Sequence, residues 1–267
     1  MIALQPLPER NSLPALAGFN LAGFSRSTTK LGGGDCYEVL PAAGGGWMLV
    51  IADVMGKGAE AADFAARFRT VMREAAQSIQ EPNELLNHAN RSLFEELSGA
   101  DLFITAQIAR VELRPGKLTV ANAGHCPLLL SGGYGKLRAV APEGFPLGIL
   151  PGGGYVQETQ SLETSDCVLL YTDGLTEARN AAGEFFGQER LEQWLCLNTS
   201  LGLNAVGLRQ ELRRTLEEFE SGIPAGDDQT FVVLAGGRPS HNRAAISPPR
   251  FELPSGYGAP GRAAKRP

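Results

Sequence analysis

Asp53 stands where an apolar run stops. Met48 to Ala52 has the length and composition of a strand buried on both faces, and it meets Asp53-Val54-Met55-Gly56-Lys57-Gly58. Gly56 and Gly58 allow a tight turn before an Ala-rich segment whose Phe64, Phe68, Val71 and Met72 recur at helical spacing. The same design occurs three more times. Gly33-Gly34-Asp35 opens a short strand-like run. Cys167 to Tyr171 is apolar and ends in Thr172-Asp173-Gly174, with Glu177 one helical turn on. Asp227-Asp228 opens the apolar run Phe231 to Leu234. Carboxylates brought together at that density repel, and a divalent cation relieves them. A site of acids without His or Cys suits hard ions such as Mg²⁺ or Mn²⁺.

Taken singly, each Asp has an ordinary structural reading as a strand-end turn or a helix N-cap. Repetition at four strand termini is what points to a site. For Glu38, Glu177 and Asp228 the structural and functional readings stay balanced. Nucleotide-binding alternatives fail on spacing. A P-loop needs Gly five residues before Gly56 and Ser or Thr after Lys57, where Ile51 and Gly58 stand. A dinucleotide fingerprint, formally met by Gly56, Gly58 and Ala61, needs a second strand ending in an acid about 20 residues on, where the pattern is still helical.

The elements that must position these acids follow from periodicity. Strands are expected over 15–24, 36–40, 47–52, 103–113, 117–121, 127–130, 136–140, 155–162, 167–172 and 230–235. Pro115-Gly116 and Ser131-Gly132-Gly133 read as hairpin turns. Helices are expected over 59–80, 82–98 with Pro82 in the first turn, 188–197 and 203–219. Strands in runs and helices in pairs predict an α+β sandwich, two mostly antiparallel sheets flanked by helices in four layers. The first helix leaves directly from the Asp53 turn, so the pair over 59–98, with Arg67 and Arg73 on its exposed face, is expected to act as a control element.

The 267 residues fit one large domain, expected over 15–237 after a lead at 1–14. Residues 238–267 hold six Arg or Lys against one Glu, so the preceding 237 residues hold 18 basic and 28 acidic groups. An acidic body excludes a nucleic-acid partner, which needs a basic face. The tail, with six prolines in 30 residues, is expected to be disordered, serving solubility or meeting an acidic surface on another protein. No apolar run approaches the roughly 20 residues of a membrane span, and Met1 to Arg10 lacks the basic-then-apolar order of a signal peptide. A cytoplasmic location without membrane contact is expected. Cys36, Cys126, Cys167 and Cys196 lack metal or redox spacing and read as reduced, partly buried thiols; His88, His125 and His241 offer no ligand pattern.

Six motifs in order carry a resemblance. Gly33-Gly34-Asp35-x-Tyr37-Glu38, Asp53-Val54-Met55-Gly56-Lys57-Gly58, Asn122-Ala123-Gly124-His125, Pro146-Leu147-Gly148, Thr172-Asp173-Gly174-Leu175-Thr176-Glu177-Ala178 and Asp227-Asp228-x-Thr230 resemble the PPM-type metal-dependent protein serine/threonine phosphatases. The match is specifically to the SpoIIE-like bacterial branch, over roughly residues 15 to 236. It implies the same four-layer fold and two Mn²⁺ or Mg²⁺ ions. Asp53 would bridge both, the Val54 carbonyl would add a ligand, Asp35 would hold one ion, and Asp173 with Asp227 the other. It further implies hydrolysis of phosphoserine or phosphothreonine on a bacterial regulatory protein, a STAS-type anti-anti-sigma protein, by a metal-activated water without a phospho-enzyme. About 15 residues precede the first expected strand, so control is expected from a separate activator, the tail or expression. Two departures stand out: Glu38 replaces the usual Asp, and Lys30 and Leu31 occupy the region of a phosphate-gripping Arg, for which Lys30 or Lys57 could substitute. The alternatives are a non-catalytic scaffold binding a STAS-like partner, and a hydrolase of a small phosphate ester.

Overall fold

The computed structural model describes residues 18–30, 32–114, 116–132 and 136–236. The lead at 1–14, the first residues of the 15–24 strand, Leu31, Pro115, Gly133 and the basic tail lie outside the described residues.

Among the described residues, ten strands form two sheets in which every pairing of named strands is antiparallel. One sheet orders β1 (Phe19–Arg26), β10 (Gln229–Gly236), β9 (Cys167–Tyr171), β6 (Leu128–Ser131) and β7 (Leu137–Val140). The other orders β2 (Cys36–Pro41), β3 (Trp47–Val54), β4 (Ile104–Glu112), β5 (Lys117–Ala123) and β8 (Gln157–Ser161). Helices α1 (Ala59–Ala75) and α2 (Pro82–Gly99) cover the second sheet, and α3 (Gly187–Ser200) and α4 (Ala205–Glu220) the first.

Period-two alternation explains the layers. Leu49 and Ile51 of β3 meet Val232 and Leu234 of β10 in the core between the sheets. Met48, Val50 and Ala52 face the other way, onto Phe64, Phe68 and Met72 of α1. Both faces are dry, which is why the run reads as continuously apolar rather than alternating. On α4, Leu208, Leu212 and Leu216 repeat every four residues against the first sheet, and Asn204 caps the helix by accepting from Gly207 N at 2.9 Å.

Several expected boundaries move, and two of the shifts bear on the site. The helix expected to reach residue 80 ends at Ala75, because Pro82 forces Glu81 into an extended conformation and the chain needs 76–80 to turn into α2. There Ile79 N donates to Ala75 O, and Ala76 O accepts from Ala43 N of the β2–β3 hairpin. The strand expected to stop at Ala52 continues to Val54, since β4 offers partners that far: Asp53 pairs with Thr105 and Val54 with Ile104. The turn beyond uses positive φ at Gly56 and Gly58, 96° and 83°.

Candidate active site

Antiparallel pairing decides where the acids go. The start of β2 lies beside the end of β3, which joins Asp35 to Asp53, and Val54 N donates to Gly34 O at 3.2 Å. The end of β9 likewise lies beside the start of β10, joining Asp173 to Asp227 and Asp228, and Thr172 N donates to Thr230 O at 2.9 Å. Both pairs occupy the same end of the sandwich, and Thr172 Oγ1 ties them by donating to Asp35 Oδ2 at 2.7 Å across the two sheets.

Close backbone approach accounts for two motif glycines. A Cβ on Gly34 would sit 2.5 Å from Val54 O and 3.2 Å from Asp53 Oδ1; one on Gly174 would sit 1.8 Å from Asp228 O. Gly34 thereby keeps side-chain atoms off the Val54 carbonyl oxygen beside Asp53.

The site grades from buried to open. Burial, then the Asp228 and Asp173 charges, overcomes hydrogen bonds from Thr172 and Thr230 and pushes Asp35 up to about 7. Burial, then repulsion from Asp35, Asp173 and Asp227, pushes Asp53 up to about 8. Asp173 is also raised, by burial first and by Glu177 and Asp227 second, though it stands at the exposed rim. Such a cluster favours neutral carboxyls or an added cation. Among the described residues no three acidic, His or Cys groups close on one point as a finished cage. The donor chemistry nevertheless fits a hard divalent ion: four carboxylates, the Val54 carbonyl oxygen, and no soft ligand.

Neighbouring residues hold this frame. Asp228 accepts from Thr28 N at 2.7 Å and from Thr28 Oγ1 at 3.0 Å, fixing the loop between β1 and β2. Lys57 Nζ donates to Gly226 O at 2.6 Å and pairs with Asp227 Oδ1 at 3.0 Å, so this candidate phosphate grip is spent on the 226–227 loop. Lys30 is exposed. Glu38 turns away from the acids and takes Arg69 and Arg73 of α1 at 2.6 and 2.7 Å. Glu177 N donates to Asp173 O at 2.8 Å, closing the turn after β9. His125 is buried: Thr105 Oγ1 lies 2.8 Å from its Nδ1 and Tyr171 O lies 3.1 Å from its Nε2. A carbonyl only accepts, so Nε2 carries the proton and Nδ1 accepts. Burial lowers its pKa to about 4, which keeps the ring neutral as a strut between the sheets.

The reading from sequence quoted Thr172 and Thr230 only as motif members, placed Arg73 on an exposed helix face, and gave no role to Thr105 or Arg69. Thr172 and Thr230 had a signal, since one adjoins Asp173 and the other follows Asp228 by two residues; Thr105 and Arg69 had none beyond strand and helix patterning. An open cleft of about 500 Å³, lined by Asn122, His125, Pro142, Glu143 and Phe145, contains none of the four acids.

The chain matches the profile of the Stage II sporulation protein E (SpoIIE) family over residues 43–235. It belongs to the SpoIIE family. Among SpoIIE-related proteins, the phosphoserine phosphatase RsbU of Bacillus subtilis is 32% identical over 190 residues, 70% of this chain and 54% of RsbU. The chain spans 35% and 54% of the lengths of two curated relatives it matches. Its fold matches the SiaA-PP2C domain of Pseudomonas aeruginosa with TM-score 0.71 and 22% identity, over 80% of this chain and 85% of that one. It also matches RsbX, solved in complex with magnesium, with TM-score 0.63 and 16% identity, over 83% and 96%.

Proposed function

We propose that this SpoIIE-family chain is a metal-dependent protein serine/threonine phosphatase. The observation that carries the reading is the meeting of Asp35 and Asp53 from one sheet with Asp173 and Asp227 from the other, two of them held well above the usual carboxylate range. Asp35, Asp53, the Val54 carbonyl, Asp173 and Asp227 would hold two Mn²⁺ or Mg²⁺ ions, with Asp53 central. Bound there, the ions supply an activated water and offset charge on the phosphoryl oxygens.

The rest is done by the chain. Thr172 aims Asp35 by donating to its Oδ2. Gly34 keeps side-chain atoms off the Val54 carbonyl. Lys57 fixes the loop that carries Asp227, and neutral His125 holds the sheet ends at a set separation. The exposed rim at Asp173 lets a residue carried on a protein surface reach the acids. RsbU is a phosphoserine phosphatase by name, which supports phosphoserine chemistry; the substrate we propose is phosphoserine or phosphothreonine on a STAS-type regulatory protein. Among the described residues no helix is long and apolar enough to cross a membrane. We place the enzyme in cytoplasmic signalling, with a separate activator protein.

Phosphate release from phosphorylated STAS proteins tests the reading, with Mn²⁺ or Mg²⁺ and with excess EDTA. Release that needs the metal and stops on chelation is expected. Full release in EDTA would end the metal-dependent reading. Turnover of p-nitrophenyl phosphate with Mn²⁺ separates an enzyme from a scaffold, and a metabolite panel separates a protein phosphatase from a small-ester hydrolase.

A further inference from the structure

The strand β2, with Asp35 at its mouth, lies at the sheet's edge and is, among the described residues, hydrogen-bonded along only one side, to β3. Backbone pairing sets its register there, but an edge strand has no neighbour beyond it to stop it tilting. Side chains on its two faces must do that. Tyr37 and Val39 pack into the core between the sheets. Cys36 and Leu40 pack toward α1 and α2, and Glu38 lies on that same face. Glu38 is 8% exposed, and its Oε1 accepts from Arg69 Nε at 2.6 Å and from Arg73 NH2 at 2.7 Å. Apolar contacts are non-directional, whereas two guanidinium donors converging on one oxygen fix both distance and angle.

The two arginines sit on the helix that begins after the Asp53 turn. Covalent connection therefore links α1 to Asp53, and the Glu38 clamp links the same helix to the strand that opens at Asp35. The chain from β3 through α1 to β2 thus closes on itself. An Asp at 38, one methylene shorter, would reach both donors only if the arginine side chains or the strand moved.

We infer that Glu38 is a positioning residue for the acid site, acting through Arg69 and Arg73 to hold Asp35 at its spacing from Asp53. The inference rests on the metal-dependent reading above. It concerns this chain's ion triad and assigns Glu38 no contact with metal or substrate.

The test is Mn²⁺ binding by titration calorimetry on the full chain, paired with thermal melts in EDTA. Glu38→Gln keeps the shape and removes the charge; it is expected to weaken Mn²⁺ binding by about tenfold or more, as losses of groups that orient metal ligands do. Because that variant leaves Arg69 partly buried without its partner, Arg73→Gln provides a second route, its side chain being 47% exposed. It should weaken binding in the same direction at an almost unchanged melting temperature, and Arg73→Lys should restore it. The Glu38→Gln, Arg73→Gln double variant should bind no worse than Glu38→Gln alone, since both act through one contact. If both single variants bind Mn²⁺ as the parent does, the triad is packing only and the inference is wrong. If the parent itself binds no Mn²⁺, the site reading fails and this inference falls with it.

Discussion

Asp53 is held by burial and by three neighbouring acids, and each effect opposes its ionisation. Asp53→Asn keeps the shape and removes the charge at the centre of the cluster. In EDTA the variant is expected to melt no lower than the parent. With Mn²⁺ the order should reverse, since a ligand of the folded state stabilises it by about 2.7 kcal/mol at a hundredfold excess over Kd. Paired melts in EDTA and in millimolar Mn²⁺ decide it; an equal metal shift in both proteins would remove Asp53 from the ligand set. The same carboxyls predict a pH effect. Asp35 and Asp53 rise to about 7 and 8, so the folded state retains protons that the unfolded state has released, and stability falls as pH climbs toward 8. His125 acts oppositely: lowered to about 4, it makes the fold gain stability as pH rises to about 6.5, the model-peptide value. Above that the acids dominate. Between pH 6.5 and 8 the melting temperature in EDTA should drop for the parent and drop less for Asp53→Asn, in which Asp35 still titrates near 7. A flat parent curve would contradict the raised acids.

Helices and loops show how much was legible before the structure. The apolar runs gave the strands because buried strands leave no polar residues to blur their ends, and the acids stood out by repeating beside glycines. Residues whose role depends on distant partners stayed hidden. Asn90, inside α2, reads as a neutral helix position. Its Nδ2 in fact donates to Leu150 O at 2.8 Å and its Oδ1 accepts from Gly148 N at 2.9 Å, fastening the loop whose Leu147 exchanges backbone bonds with Ile104 beside β3. Asn90→Ala orphans both loop groups and should destabilise by about 1 to 3 kcal/mol in urea unfolding; a loss under a few tenths would show that water replaces the side chain. Arg67 was expected on an open helix face. It joins Asp63 on α1 to Glu96 on α2, so it stitches the helix pair that leaves the Asp53 turn. Exposed pairs contribute little to stability, so Arg67→Ala should stay within about 1 kcal/mol of the parent. If the helix pair controls the site, it should still change turnover at limiting Mn²⁺. Unchanged kinetics in Arg67→Ala, with and without an activator, would leave α1 and α2 as scaffolding.

At the scale of the whole molecule, the acids are divided between two sheets that are tied at that end by Thr172 to Asp35, by His125 between Thr105 and Tyr171, and by Lys57 to Gly226 and Asp227. Periodicity within a strand reports which face is buried and says nothing of which strand lies across the core; that is why the division between sheets could be anticipated from family resemblance but not from spacing. The division has a mechanical consequence. A cation held by Asp35 and Asp53 on one side and by Asp173 and Asp227 on the other would cross-link the sandwich at its open end, and local opening of either sheet would then have to break the metal site. Hydrogen exchange reads this directly. Adding Mn²⁺ to the parent should slow exchange together at 53–56, at 172–175 and at 228–230, including Thr172 N, which bonds Thr230 O, and Val54 N, which bonds Gly34 O. In Asp173→Asn, with one sheet's share weakened, protection should fall at all three segments and not only at the substituted one. Protection confined to 53–56 in the parent would mean that the ions sit on a single sheet, and the two-sheet site would have to be abandoned.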